Sequence, residues 1–202
     1  MIIKAKIVLS AALLVILAAV NPALAAGDPA AGAELGYSCL GCHGVVGYRN
    51  AYPSYRVPKL GGQNAAYLVI AIKGYREGAR SHPTMGAQAS SLTDQQIDDV
   101  AAYLASLGGE TVAAGGSSAP SIKQTETCIA CHGQNGIGLS PAWPTLAGQH
   151  EDYLEHALNQ YRDGTRTDPV MSQMAVALTD DDVEILARYY SRLDGLETTE
   201  AD

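Results

Sequence analysis

The sequence predicts an all-α protein made of two tandem copies of one unit, each wrapped around a bound group. Three observations carry this. Blocks of sequence recur at a fixed spacing of 86 to 89 residues. Apolar residues within each copy fall at helical intervals, and the alternation expected of strands is almost missing. Each copy also opens on Cys-x-x-Cys-His followed by long Gly- and Pro-rich stretches, longer than so small a unit needs for turns alone.

The elements follow in order. Lys4 and Lys6 precede an apolar run of 14 residues, Ile7 to Val20, broken only by Ser10, and Ala23-Leu24-Ala25 supplies a small-x-small cleavage site. Residues 1–25 are therefore expected to be a signal peptide. The run is shorter than the roughly 20 residues of a spanning helix, so a retained anchor is the weaker alternative. Residues 26–107 form the expected first domain. In it Asp28 caps a helix with Pro29 at its first position, running into Cys39. A Gly- and Pro-rich loop follows, including a Tyr-rich stretch, residues 45–57, to which the sequence assigns no role. Asn64 to Tyr75 is apolar at helical spacing (Ala65, Leu68, Ile72), and a loop carrying Pro83 comes next. Thr93 and Gln96 then form a capping box opening a helix with Ile97, Val100, Tyr103 and Leu104 on one face, stopped by Gly108 and Gly109.

Residues 108–121, rich in Gly, Ser and Ala, read as a linker, and residues 122–202 as the second domain. The second copy repeats the plan: Cys128 to His132 matches Cys39 to His43, Pro144 to Gln149 matches Pro58 to Gln63, and Tyr161 to Gly164 matches Tyr75 to Gly78. Leu178-Thr179-Asp180 likewise matches Leu92-Thr93-Asp94. His150 to Tyr161 is the second middle helix, Pro169 lies in the loop after it, and Thr179 opens a last helix with Val183, Leu186, Ala187 and Tyr190 inward. One element departs. The stretch before Cys128 is short, and Thr125 and Glu126 stand where the first copy has Gly36 and Tyr37, so the first and last helices are expected to pack differently there.

All four cysteines, Cys39, Cys42, Cys128 and Cys131, lie in the two Cys-x-x-Cys-His motifs. A zinc site needs the two pairs close together, and the gap between Cys42 and Cys128 is far beyond a zinc-ribbon spacing. A thioredoxin-like redox pair needs a βαβ setting, and no strands are expected. Covalent haem c attachment needs two thiols two residues apart, to add across two vinyl groups, and a His placed next to face the iron. Two registered copies favour two haem c groups, with His43 and His132 as iron ligands.

Met sulfur is a common sixth ligand of an electron-carrying haem. Met85 and Met171 are 86 residues apart, in register with the repeat, each shortly after a proline and eight residues before the Thr that opens the last helix. They read as the remaining axial ligands, with core filling as the alternative. Met174 stands where the first copy has Gln88, and reads as packing or as an alternative ligand. His82, three residues before Met85, is a candidate replacement ligand, and His150 and His156 carry no assigned role.

These residues resemble the dihaem cytochrome c4 family, in which two class I cytochrome c domains follow one another in one chain. The likeness covers nearly everything after the leader, from Gly27-Asp28 to the last helix. It implies one haem per domain, held by His43 and Met85 in the first and by His132 and Met171 in the second. It also implies that the Pro58 and Pro144 carbonyls accept a hydrogen bond from the ligand imidazoles, a contact that fixes the ring and tunes the metal. By the same resemblance the protein is a periplasmic electron carrier and not an enzyme. Its electrons would come from a membrane-bound donor such as a cytochrome bc complex and leave to a haem-copper terminal oxidase.

Composition narrows the alternatives. The 202 residues carry 13 Lys+Arg against 21 Asp+Glu, a net charge of −8, which excludes a typical nucleic-acid binder. After the leader no segment reads as transmembrane. The acidic excess falls almost wholly in the second copy, which points to an oriented approach to redox partners, or simply to a solvated face. The main rival reading is an electron-accepting cytochrome subunit of a periplasmic dehydrogenase complex; a dihaem peroxidase would need one iron without a sixth protein ligand, against two registered methionines.

Overall fold

The computed structural model describes residues 27–109, 115–116 and 120–199. The expected leader and most of the expected linker lie outside these residues. No helix among them is long and apolar enough to cross a membrane. Eight α-helices are described: α1 Pro29–His43, α2 Ala65–Glu77, α3 Pro83–Ser90 and α4 Asp94–Ser106 in the first unit, then α5 Ile129–His132, α6 Glu151–Asp163, α7 Met171–Ala175 and α8 Asp180–Ser191 in the second. A single 3-10 turn, Lys123–Thr125, precedes α5. Extended pairing among the described residues is limited to isolated bridges. The fold is all-α, in two tandem units, as the periodicity predicts.

The caps form as the sequence indicates. Asp28 accepts from the Ala30 N–H at 2.8 Å. Thr93 and Gln96 close a reciprocal capping box on α4, and Thr179 and Asp182 do the same on α8. The repeated Tyr-Arg-acid-Gly and Leu-Thr-Asp segments prove to be two halves of one brace. Arg76 at the end of α2 donates to the Leu92 carbonyl at 3.2 Å and to Asp94 at 2.6 Å. Arg162 makes the equivalent bonds to Leu178 at 3.3 Å and to Asp180 at 2.6 Å. Each arginine thus fixes the middle helix against the start of the last one.

Two elements differ from the sequence-based expectation. α1 runs past Cys39 to His43, so the whole Cys-x-x-Cys-His motif is helical. The stretches carrying Pro83 and Pro169 are not loops throughout: Pro83 is the first residue of α3, and Pro169 leads into α7. A proline at the first helical turn loses no intrahelical bond, which is why its breaking signal misleads there.

The first core comprises Leu40, Leu68, Ile72, Ala89, Ile97, Val100, Ala101 and Leu104. α1 lies so close to α4 that a Cβ on Gly32 would sit 2.0 Å from the Asp99 carbonyl oxygen, and one on Gly36 2.6 Å from the Tyr103 ring. Asp99 also accepts from the Asp28 N–H at 2.8 Å, tying the start of α1 to α4. The second core is built on Ala147, Leu154, Leu186, Ala187, Tyr190 and Leu193. There the long first helix is replaced by the 3-10 turn. Thr125 fills the place of Gly36, fully buried, with its hydroxyl donating to the Ile122 carbonyl at 2.7 Å. The expected difference in packing is present, and the threonine brings its own hydrogen-bond partner.

The two units meet face to face through repeat-equivalent residues. The Gln63 side chain donates to the Thr145 carbonyl and accepts from the Thr145 N–H, both at 2.9 Å. The Gln149 side chain makes the same pair of bonds to Lys59, at 2.9 and 3.0 Å. Gln63 matches Gln149 and Lys59 matches Thr145, so the contact is self-complementary, like that of a two-fold dimer joined into one chain. Replacing Gln63 by Ala strips partners from a buried carbonyl and a buried N–H, each worth about 1–3 kcal/mol when left unpaired. We expect Gln63→Ala to lower the stability of the haem-loaded protein by about 2–4 kcal/mol in denaturant titrations, with both haems retained.

The Tyr-rich loop, residues 45–57, gains a role at this interface. Arg49 and Arg56 both pair with Asp152 of the second unit at 3.0 Å. Tyr55 is buried, its ring stacked 4.1 Å from that of His156. The loop is a clasp between the units, built on partners about a hundred residues away in the chain.

Candidate haem sites

Each unit borders a mainly apolar cavity, about 370 Å³ at the first and about 320 Å³ at the second. Cys39, Cys42 and His43 line the first from the end of α1, and Met85 and Gln88 line it from α3. Cys128, Cys131 and His132 line the second, with Met171 and Met174 from α7. In each unit the Cys-x-x-Cys-His motif and the registered methionine therefore face one cavity. Met174, without a counterpart in the first copy, lines the second cavity in the position of Gln88.

The histidines are held in one tautomer. His43 Nδ1 lies 2.7 Å from the Pro58 carbonyl oxygen, and His132 Nδ1 lies 2.9 Å from that of Pro144. A carbonyl only accepts, so Nδ1 carries the proton and Nε2 keeps its lone pair. Burial pushes both imidazoles below their ordinary pKa, against the proline carbonyls, which act to raise it. A neutral ring with a free Nε2 is the form that binds a metal.

The methionine helices are capped by a repeat-equivalent pair of different chemistry. His82 Nδ1 accepts from the Met85 N–H at 3.2 Å, and Asp168 Oδ1 accepts from the Met171 N–H at 2.8 Å. His82 is therefore engaged as a helix cap, with its Nε2 3.3 Å from Asn50 Oδ1. His156 packs on Tyr55. His150 sits beside Lys59 and Arg56, and burial together with those cations lowers its pKa to about 4.

Among the described residues no cluster of three or more His, Cys, Asp or Glu side chains forms. The cysteine pairs instead border cavities of mainly apolar lining, which suits a flat organic macrocycle with a metal at its centre. Sequence reasoning missed one group at this site. Tyr67, Arg80, Tyr153 and Arg166 gather where the two cavities adjoin, and the register of 86 between like residues was the available signal.

Two all-α units, each with a thiol pair and a proline-anchored histidine on one mainly apolar cavity, define a tandem c-type cytochrome. The family described as Cytochrome c matches residues 29–108 and again 121–193. The cytochrome c4 of Pseudomonas aeruginosa is 33% identical, over 90% of this chain and 96% of that protein. A protein of Stutzerimonas stutzeri named thiosulfate dehydrogenase electron acceptor is 35% identical, over 80% of this chain and 81% of its own length. The crystal structure of reduced recombinant cytochrome c4 from Pseudomonas stutzeri superposes with a TM-score of 0.66 at 32% identity, covering 85% of this chain and 100% of that one. The chain belongs to the cytochrome c family, within its dihaem cytochrome c4 branch. It is an electron carrier with two covalently bound haem c groups, attached at Cys39 and Cys42 and at Cys128 and Cys131.

Proposed function

We propose that this chain shuttles single electrons in the periplasm between a membrane-bound respiratory donor, such as a cytochrome bc complex, and a haem-copper terminal oxidase. The supporting observation is the pairing, in both units, of a tautomer-locked histidine and a registered methionine on one cavity. His43 and Met85 bind the first iron, and His132 and Met171 the second. Pro58 and Pro144 hold the two imidazoles in orientation. With both axial positions filled, the haems supply reversible one-electron chemistry at an iron closed to substrates, and the chain serves as a carrier, not an enzyme. Residues 1–25 act as the export signal, and the mature chain divides into a first domain (26–107), a linker (108–121) and a second domain (122–202).

A second reading is favoured by one relative. The Stutzerimonas stutzeri protein named thiosulfate dehydrogenase electron acceptor is as similar as the cytochromes c4, which supports a role for this chain as the acceptor of electrons from a periplasmic dehydrogenase. The distinguishing experiment gives the purified haem-loaded protein two reaction partners: oxidase-containing membranes, and a thiosulfate dehydrogenase with its substrate. Fast oxidation by membranes, slowing as salt rises, supports the respiratory reading, because weak charged encounters are screened within about 10 Å at 0.1 M salt. Fast reduction by the dehydrogenase without turnover by membranes supports the second. A pyridine haemochrome count other than two per chain, or a high-spin ferric iron in either unit, overturns the axial-ligand assignment.

A further inference from the structure

The last helix of the second unit puts a phenol where the first unit has a leucine. Tyr190 and Leu104 hold equivalent positions in the repeat, in α8 and α4. Each lines the cavity of its own unit, and they are 3% and 1% exposed. The Tyr190 ring is fixed by its surroundings. It packs on Gly136, where a Cβ would stand 3.1 Å from the ring, and it meets Tyr189 edge-on at 5.1 Å between centroids. The Tyr190 hydroxyl oxygen is buried and has no hydrogen-bond partner among the described residues.

A buried hydroxyl without a partner destabilises a fold, and a leucine in its place does not. Beside the Tyr190 ring lies Cys128, the first cysteine of the second motif, packed against the same core. Burial, followed by that neighbouring thiol, pushes the Tyr190 phenol above its ordinary pKa. As a free thiol Cys128 is itself a donor, to the Gln124 carbonyl at 3.7 Å. Covalent attachment reverses its character. The S–H adds across a vinyl double bond, sulfur to one carbon and hydrogen to the other, and the thioether that results can only accept. A donor is then needed beside it, and Tyr190 is placed to be one. Ser38 and Thr127, each preceding its motif, neighbour Cys39 and Cys128 alike. They do not distinguish the units, whereas Tyr190 against Leu104 does.

We infer that the Tyr190 hydroxyl donates a hydrogen bond to the thioether sulfur of Cys128, and that this bond raises the potential of the second haem alone. This rests on the dihaem reading and adds to it a tuning residue that touches no iron. A donor on a substituent of the macrocycle draws electron density from the ring, which favours the electron-richer ferrous state. Hydrogen bonding of this kind around a haem is one of the means by which a protein sets its potential. The first haem has Leu104 at the matching place and receives no such bond from its last helix.

The test is a redox titration of the haem-loaded protein carrying Tyr190→Phe, beside the unaltered chain, each with a haem count and a far-ultraviolet spectrum. Phenylalanine keeps the ring and removes only the hydroxyl. Met85→Ala, which displaces the first wave, assigns the two. The expected result is a lower midpoint potential for the second haem and an unchanged one for the first, with both haems bound and the helices intact. No shift in the second haem, a rise in it, or an equal shift in both overturns the inference and leaves the dihaem reading standing. A haem count below two in the unaltered chain overturns that reading instead. Should Tyr190→Phe fail to fold, redox-difference infrared spectra of the unaltered protein with ring-labelled tyrosine decide the matter. A phenol band that shifts as the second haem is reduced, and not as the first is, supports the bond; phenol bands insensitive to reduction of the second haem overturn it.

Discussion

Replacing Met85 by Ala is expected to open the first iron and leave the second untouched. Met85 lies in the first turn of α3, where His82 caps its N–H and Pro83 starts the helix, so the substitution removes the thioether without unfolding its support. The alanine has no group to bind iron. The first haem should turn high-spin in its ferric form, and its potential should fall by a substantial fraction of the roughly 0.8 V that axial ligation spans. Absorption and near-infrared magnetic circular dichroism would show half the haem with a His/Met signature and half without. Peroxide turnover should rise relative to the unaltered protein, because water and peroxide can reach the open position. An unchanged spectrum would mean that Met85 fills the core and that another group completes the site. Met171→Ala is the matched control in the second unit, with the added question of whether Met174, on the same cavity, takes over.

A large loss of stability is expected from Gly32→Ala. A Cβ at this position meets the Asp99 carbonyl oxygen at 2.0 Å and its carbonyl carbon at 2.5 Å, both backbone atoms of α4 that cannot turn aside. α1 must move off α4, which disturbs the Asp28–Asp99 bond and the Leu40 contact with the core. Overpacking of this kind costs about 3 kcal/mol. Gly41→Ala is the internal contrast, because nothing lies within 4 Å of a Cβ there. The second motif already has Ala130 at the matching position. In the same helix Gly41→Ala should be neutral or stabilising by about 0.5–1 kcal/mol. Thermal unfolding of the two haem-loaded variants would separate these outcomes. Equal destabilisation by both would show that helix α1 as a whole, not its approach to α4, limits stability.

Much of the molecule is legible in its amino-acid order. The Cys-x-x-Cys-His spacing, the register of 86 between methionines and the Thr-x-x-Gln and Thr-x-x-Asp boxes are repeated patterns, and the motifs and boxes are each satisfied within a few residues of chain. Helical periodicity puts Ile97, Val100 and Leu104 inside, and they are fully buried. Elsewhere local signals pull against the tertiary environment. Pro83 breaks helices in general but starts one here, and the shortened first element of the second unit hides a threonine that supplies its own hydrogen-bond partner.

The sequence by itself thus determined the class of fold, the number of units, the thiols that attach the haems and the histidines and methionines that face each cavity. These follow from spacing, because covalent attachment and helix capping are local chemistry. The tertiary structure alone decided how the units meet: Gln63 against Thr145, Gln149 against Lys59, the loop at residues 45–57 clasped by Asp152, and two arginines brought to the boundary of both cavities. Those contacts join residues roughly 80 to 100 positions apart. Their energy comes from burial and pairing across an interface, and a charge or amide in a sequence carries no mark of the partner it will be buried against.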